Sequence, residues 1–244
     1  MLQTTQGIVL RSVKYGETSL ICSIFTEQYG VQSYLVKGVR SAKAKGSRAG
    51  LLQPATLLDL SIYYRSQKNL QHIREFHPAY LYNSLQSQIV KNSIALFSVE
   101  LLLKLLPEHA PQPELFAFTF DYFRALDTTE LSAVANFPLF FIIQCSRFLG
   151  YDISGNFSPD TPHLNLQDGA FTHYPPSIAP YINDEDASAI DRLLRISDIQ
   201  DLPTVTMNSA MRFRLLDWYL AFLHQHTQHL GNIRSLPVLQ AILH

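Results

Sequence analysis

The chain has 244 residues, 47% of them hydrophobic and 11% aromatic, which is ample for a packed core and excludes a disordered protein. Its two cysteines, Cys22 and Cys145, exclude a disulfide framework and a four-thiolate zinc site. The formal net charge of -1 hides a split: residues 1–80 hold ten Lys and Arg against four acids (+6), and the remainder holds nine against sixteen (-7), as expected for a basic binding module on an acidic, apolar body.

In chain order, Thr5 to Val13 and Ser19 to Thr26 are rich in β-branched and aliphatic residues, with a turn at Lys14-Tyr15-Gly16-Glu17. Tyr29-Gly30 ends the second run, and Val31 to Lys37 reads as a third strand. Residues 37–48 then carry Lys37, Arg40, Lys43, Lys45 and Arg48 and no acid, interleaved with glycines and small Ala and Ser residues. Such a segment cannot bury itself. Lys and Arg neutralise phosphates and release condensed counterions, and glycine lets the backbone follow an irregular partner, so the loop is a candidate nucleic-acid contact. A flexible hairpin tip kept soluble by its charges has the same composition. Ala55 to Tyr64 alternates Leu58, Leu60 and Ile62 against Asp59, Ser61 and Tyr63 as a fourth strand, and Leu70 to Phe76 is a fifth. Five short strands with a long third connection suggest a closed barrel of the oligonucleotide-binding (OB) type, although an SH3-like barrel fits the count almost as well.

At His77-Pro78 a helical period replaces alternation. Asn83 or Ser84 is placed to cap a helix running to about Lys104. Glu114 to Leu126 reads as a second helix and Leu131 to Leu149 as a third, apolar almost all round and stopped by Gly150, hence central to the second domain. Residues 151–183 lack a sustained period and contain five prolines, so they read as a long irregular excursion. Asp184, Glu185 and Asp186 open a short helix; Thr204 to His229 is a long one; Ser235 caps a last turn or two. The fold class is α+β, with a five-stranded barrel at 1–78 followed by an all-α domain at 79–244. No stretch approaches a membrane-spanning length and the N-terminus lacks a signal-like apolar run, so a cytoplasmic protein is expected.

Motifs for catalysis are missing: there is no G-x-S-x-G, H-E-x-x-H or Walker loop. His163 and His173 with Asp160 or Asp168 match no ligand spacing and read as loop histidines. His224, His226 and His229 end the long helix, where protonated imidazoles suit the negative end of the helix dipole. A histidine-based hydrolase is thus a weak third reading, behind a DNA-binding protein and an adaptor whose helical domain captures a partner peptide.

The run GIVLRSVKYGETSLICSIFTEQYGVQSYLVKGVR followed by LLQPATLLDL resembles the N-terminal domain of the RecO family of bacterial recombination mediators, through GIVL-R, YGE-S, FT-YG, KG-R and LQP in order. RFLGY and the ending HLGNIRSLPVLQAIL agree more loosely. The resemblance implies an OB barrel, an α-helical C-terminal domain, binding of single- and double-stranded DNA, strand annealing, and engagement of single-stranded-DNA-binding protein (SSB) and RecR to help load RecA, with no enzyme chemistry and no cofactor. It places Lys37 and Arg40 on the KG-R element as phosphate contacts, and Arg11 and Lys14 on the first strand and its turn. Lys43, Lys45 and Arg48 continue the basic loop on physical grounds. Tyr15, Tyr34 and Tyr63 are candidates for base stacking, though a strand aromatic is more often barrel core. An SSB tail, acidic and apolar, would need a cation beside a groove, for which Arg124, Arg147, Arg212 and Arg214 are candidates. Many RecO-like proteins carry a four-cysteine zinc module in the excursion; FSPDTPHLNLQDGAFTHYPP has no cysteine, so contacts of Leu164, Leu166, Phe171 and Tyr174 are expected to hold it instead.

Overall fold

The computed structural model describes residues 2–40, 48–177, 179–228 and 230–243. By contacts the chain divides into two units, one of residues 1–88 with 102–128 and one of residues 89–101 with 129–244, a division that differs from a single cut after residue 78.

The first unit holds β1 (Leu2–Tyr15), β2 (Ser19–Thr26), β3 (Gly30–Val36), a 3₁₀ turn (Arg48–Leu52), β4 (Leu57–Tyr63) and β5 (Leu70–Pro78). These close into a barrel of order β1-β2-β3-β5-β4, with β1 pairing back onto β4. Every ladder is antiparallel except the short β3–β5 one, the strand arrangement of an OB fold. The β-branched and aliphatic residues predicted to alternate do so: Val9, Ile24, Leu60 and Ile62 fill the interior. Gly7 lies where β1 meets two core side chains, since a Cβ there would stand 2.7 Å from both Ile24 and Leu60. Two bulges interrupt the register, between Val9 and Arg11 on β1 and opposite Ser61/Ile62 on β5.

Helix α2 (Pro113–Thr128) belongs to this unit because Phe116 packs edge-on against Phe25 of β2, ring centroids 5.4 Å apart. At its end Asp127 is almost fully buried and its carboxylate accepts backbone N–H groups from Asn83 (3.0 Å), Ser84 (2.8 Å) and Leu85 (2.7 Å). This corrects the expected cap: Asn83 and Ser84 are held by Asp127 rather than starting a helix, and α1 (Ile89–Leu105) begins five residues after Ser84. The controlling residue lies more than forty positions away, outside any local pattern.

In the second unit, α3 (Phe137–Phe148) is buried along nearly its whole length, as its all-round apolar sequence requires. Gly150 follows it at φ 84°, the left-handed stop expected of a C-terminal glycine. The excursion is less irregular than its sequence suggests: β6 (His163–Asn165), β7 (Ala170–Thr172) and β8 (Tyr181–Asn183) form a sheet of order β7-β6-β8. Strands of three residues are too short to show alternation. Leu164, Leu166 and Phe171 are buried as expected, but Tyr174 is 77% exposed, its ring meeting only that of neighbouring His173 among the described ring contacts. Then come α4 (Asp184–Arg195), α5 (Ser209–His226), capped by the Asn208 side chain on Met211 N–H, and α6 (Leu236–Ile242). Glu100 accepts the N–H groups of Arg234 and Ser235, each at 2.8 Å, and so fixes the entry to α6.

Candidate nucleic-acid interface

Of the cations expected to meet phosphate, the described ones lie on the barrel. Lys37 and Arg40 follow β3, Arg48 opens the 3₁₀ turn, and all three are exposed. Lys43 and Lys45 lie outside the described residues. Gly38, at φ 72°, turns the chain between Lys37 and Arg40, a backbone state that side chains disfavour. The Arg40 N–H then bonds the Thr18 carbonyl at 3.0 Å, which ties this turn to the β1–β2 connection carrying Lys14 and Tyr15. Lys14 and Arg11 are exposed on β1, Arg11 directly after the bulge.

Of the three tyrosines considered for stacking, Tyr15 and Tyr63 are 53% and 47% exposed. Tyr34 is a correction: it is fully buried in the barrel core and reaches no ligand. Burial pushes its phenol above the ordinary value. The parity of β3 explains it, since Gln32, Tyr34 and Val36 face inward together.

The structure adds residues that the sequence reading missed. A hollow of about 290 Å³ at the end of β3 is lined by Lys37, Arg48, Tyr63, His72, Arg74 and Phe76 among others. Tyr63 and His72 are cross-strand partners on β4 and β5. Arg74 occupies the β5 bulge, the extra residue between the Ile62↔Ile73 and Ser61↔Glu75 pairs, and a bulge re-aims its side chain. The Arg48 guanidinium sits 4.8 Å from the centroid of the Phe76 ring. Beside it, the β4–β5 turn holds two further exposed cations, Arg65 and Lys68, in a shape fixed by buried Gln71, which bonds Arg65 N–H and both residues' carbonyls. Arg74 and His72 lay inside a strand in the sequence, and only the pairing register shows that they share this surface.

The arginines considered for a partner groove are all engaged. Arg124, in the first unit, contacts Asp121 at 3.1 Å and lies over the Tyr80 ring. Arg147 bonds the Leu194 carbonyl (3.0 Å) and Asp152 (3.3 Å), and Arg214 pairs with Asp186 at 2.8 Å. Arg212, half-buried, donates to the Asn136 side chain and the Met207 carbonyl, and desolvation lowers its pKa. Arg192 lies beside a hollow of about 700 Å³ with Phe157, Met207 and Met211, and with Asp184 and Glu185 on its wall.

His173 Nδ1 lies 2.6 Å from the Asp160 carbonyl, Asp168 accepts from Asn165, and His163 meets the Tyr181 ring edge-on. His226 lies against Phe222 and 3.2 Å from the Leu166 carbonyl; His224 stands apart on α5, and His229 lies outside the described residues. Among the described residues no group of three His, Cys, Asp or Glu is placed to hold a metal ion, and no helix is long and apolar enough to cross a membrane.

The barrel followed by a helical region agrees with comparisons to known proteins. The family model "Recombination protein O N terminal" matches residues 1–82 and "Recombination protein O C terminal" matches residues 86–237. The chain is 31% identical over 242 residues to DNA repair protein RecO of Phocaeicola vulgatus and 32% identical over 243 residues to that of Bacteroides fragilis, covering 99% of each chain in both cases. It is 29% identical to the protein of the same name from Salinibacter ruber, over 85% of this chain and 82% of the relative. The chain belongs to the RecO family of DNA repair and recombination mediators, which are not enzymes.

Proposed function

We propose that this protein binds single- and double-stranded DNA through the basic end of its barrel and anneals complementary strands. With RecR, it helps RecA load onto SSB-coated single strands in the cytoplasm. The observation that supports this reading is the grouping of Lys37, Arg48 and Arg74 around one hollow, with Arg40 tied to the neighbouring turn. Among the described residues no ion pair engages Lys37, Arg40 or Arg48. Arg74 approaches Glu75 only at 3.8 Å, with both side chains about half exposed, a contact of little energy. Annealing requires neutralising phosphates on two strands without reading bases. Cations at the end of the barrel do that, because phosphate contacts position a strand and carry no sequence preference.

The reading is tested by following annealing of two labelled complementary strands by energy transfer. The wild type accelerates pairing. The triple variant Lys37→Glu, Arg48→Glu, Arg74→Glu, its circular dichroism unchanged, does not. Equal acceleration by both proteins would remove the barrel end from the mechanism.

The adaptor reading retains one supporting feature, the hollow at Arg192. Asp184 and Glu185 on its wall oppose an acidic tail such as that of SSB, so the barrel carries the proposal.

A further inference from the structure

The parallel ladder between β3 and β5 is three pairs long and ends at Leu35↔His72. Beyond it β3 runs on to Val36, which pairs with Leu20 of β2, while β5 enters the bulge at Arg74. The hollow of about 290 Å³ opens at this seam. Val36, Val39 and Phe76 lie beneath it, all nearly inaccessible, and its rim carries Tyr63, His72 and three cations; none of its lining residues is acidic.

That combination specifies a ligand. An exposed aromatic ring such as Tyr63 accepts the face of a flat ring, and cations around the rim accept phosphates attached to it. At roughly 30 Å³ per water-sized group, the hollow holds about ten non-hydrogen atoms. This is the size of one nucleobase and too small for a base pair. The usual ligand face of an OB barrel runs over strands 2 and 3, whereas this hollow lies at the β3/β5 seam.

We propose that the hollow takes one unstacked base of single-stranded DNA, stacked on Tyr63, with Lys37, Arg48 and Arg74 on the flanking phosphates. The inference rests on the DNA-binding reading above and sharpens it: phosphate contacts serve either form of DNA, but the hollow admits only a base that has left its stack. Single strands are therefore held more tightly than duplex, by the residues that close the seam.

The test is a coupling cycle on the full-length protein by fluorescence anisotropy, with a labelled single strand and the same strand made of abasic nucleotides, so that the phosphates are equal in number. Wild type binds the abasic strand on the order of tenfold more weakly, the loss expected for one stacked base. Tyr63→Ala binds the normal strand about as weakly as wild type binds the abasic one, and shows no further loss on the abasic strand. Tyr63→Phe behaves as wild type. Tyr174→Ala, an exposed tyrosine of the second unit, also behaves as wild type. If wild type binds both strands equally, or if the abasic penalty survives in Tyr63→Ala, the hollow is no base site although the DNA reading stands. If neither strand binds, both readings fall.

Discussion

Asp127 is the residue on which the link between the end of α2 and the segment before α1 depends, and its removal has a calculable cost. The carboxylate accepts three backbone N–H groups at 2.7–3.0 Å and the Tyr80 hydroxyl at 3.2 Å. Leu85 is buried and Ser84 half-buried, whereas Asn83 is exposed and can turn to water. Counting the two less accessible donors at about 1–3 kcal/mol each for a lost partner gives about 2–6 kcal/mol for Asp127→Ala. At the scale of a chain this size, about 2–4 °C per kcal/mol, that lowers the melting midpoint by about 4–24 °C. Asp127→Asn keeps an acceptor oxygen but loses the charge, and falls between. The pH dependence has a definite sign. Burial raises the carboxyl pKa, but the bonds from Asn83, Ser84 and Leu85 together outweigh it, so the folded value is below the ordinary 3.8. A depressed folded value gives a contribution fully present above the unfolded pKa and lost as pH falls through the folded one. The gap between wild type and Asp127→Asn, followed by far-ultraviolet circular dichroism, is therefore constant near neutrality and narrows below about pH 4. A midpoint for Asp127→Ala within 1 °C of wild type, or a gap that widens in acid, would refute the reasoning.

Other outcomes follow from the same geometry. Gly7→Ala forces Ile24 and Leu60 to give way and lowers stability by about 1–3 kcal/mol in urea unfolding; no loss would mean the barrel seam has slack. Tyr34→Phe leaves DNA affinity within about 0.5 kcal/mol of wild type, because the hydroxyl it removes is buried in the barrel core, whereas Tyr34→Ala opens the core at a cost of about 3–5 kcal/mol. A selective loss of DNA binding in Tyr34→Phe would restore it as a contact. Chelator leaves the melting midpoint unchanged, since apolar contacts of Leu164, Leu166 and Phe171 hold the excursion; a drop on chelation would show a metal there.

Much of the barrel is legible in the sequence because its strands alternate: β2 is read to the residue, Ser19–Thr26, and β3 to within one. β1 reads short because Leu2 to Thr4 mixes polar residues with apolar ones at its start. Three classes of information are not local and so stay hidden. Asp127 replaces a local cap from more than forty residues away. The β5 bulge that places Arg74 at the hollow appears only when β4 and β5 are paired. The cross-strand match of Tyr63 and His72 likewise depends on register, not composition. Tyr34, by contrast, could have been read as core from Val36, which shares its parity and is plainly apolar. In the helical unit, α3 announces itself by composition, while the short sheet of the excursion does not, because three residues cannot express a period.

The central claim, that the barrel end meets DNA phosphates, is tested most directly by the salt dependence of single-strand binding. Each phosphate contact contributes about -0.7 to the slope of log K against log salt, so Lys37, Arg40, Arg48 and Arg74 together give about -3. Anisotropy titrations across a salt series should show at least that slope for wild type. They should show about two fewer units for folded Lys37→Ala, Arg48→Ala, Arg74→Ala. Appreciable affinity with the same slope in both proteins would contradict the account and move the DNA contact off the barrel end.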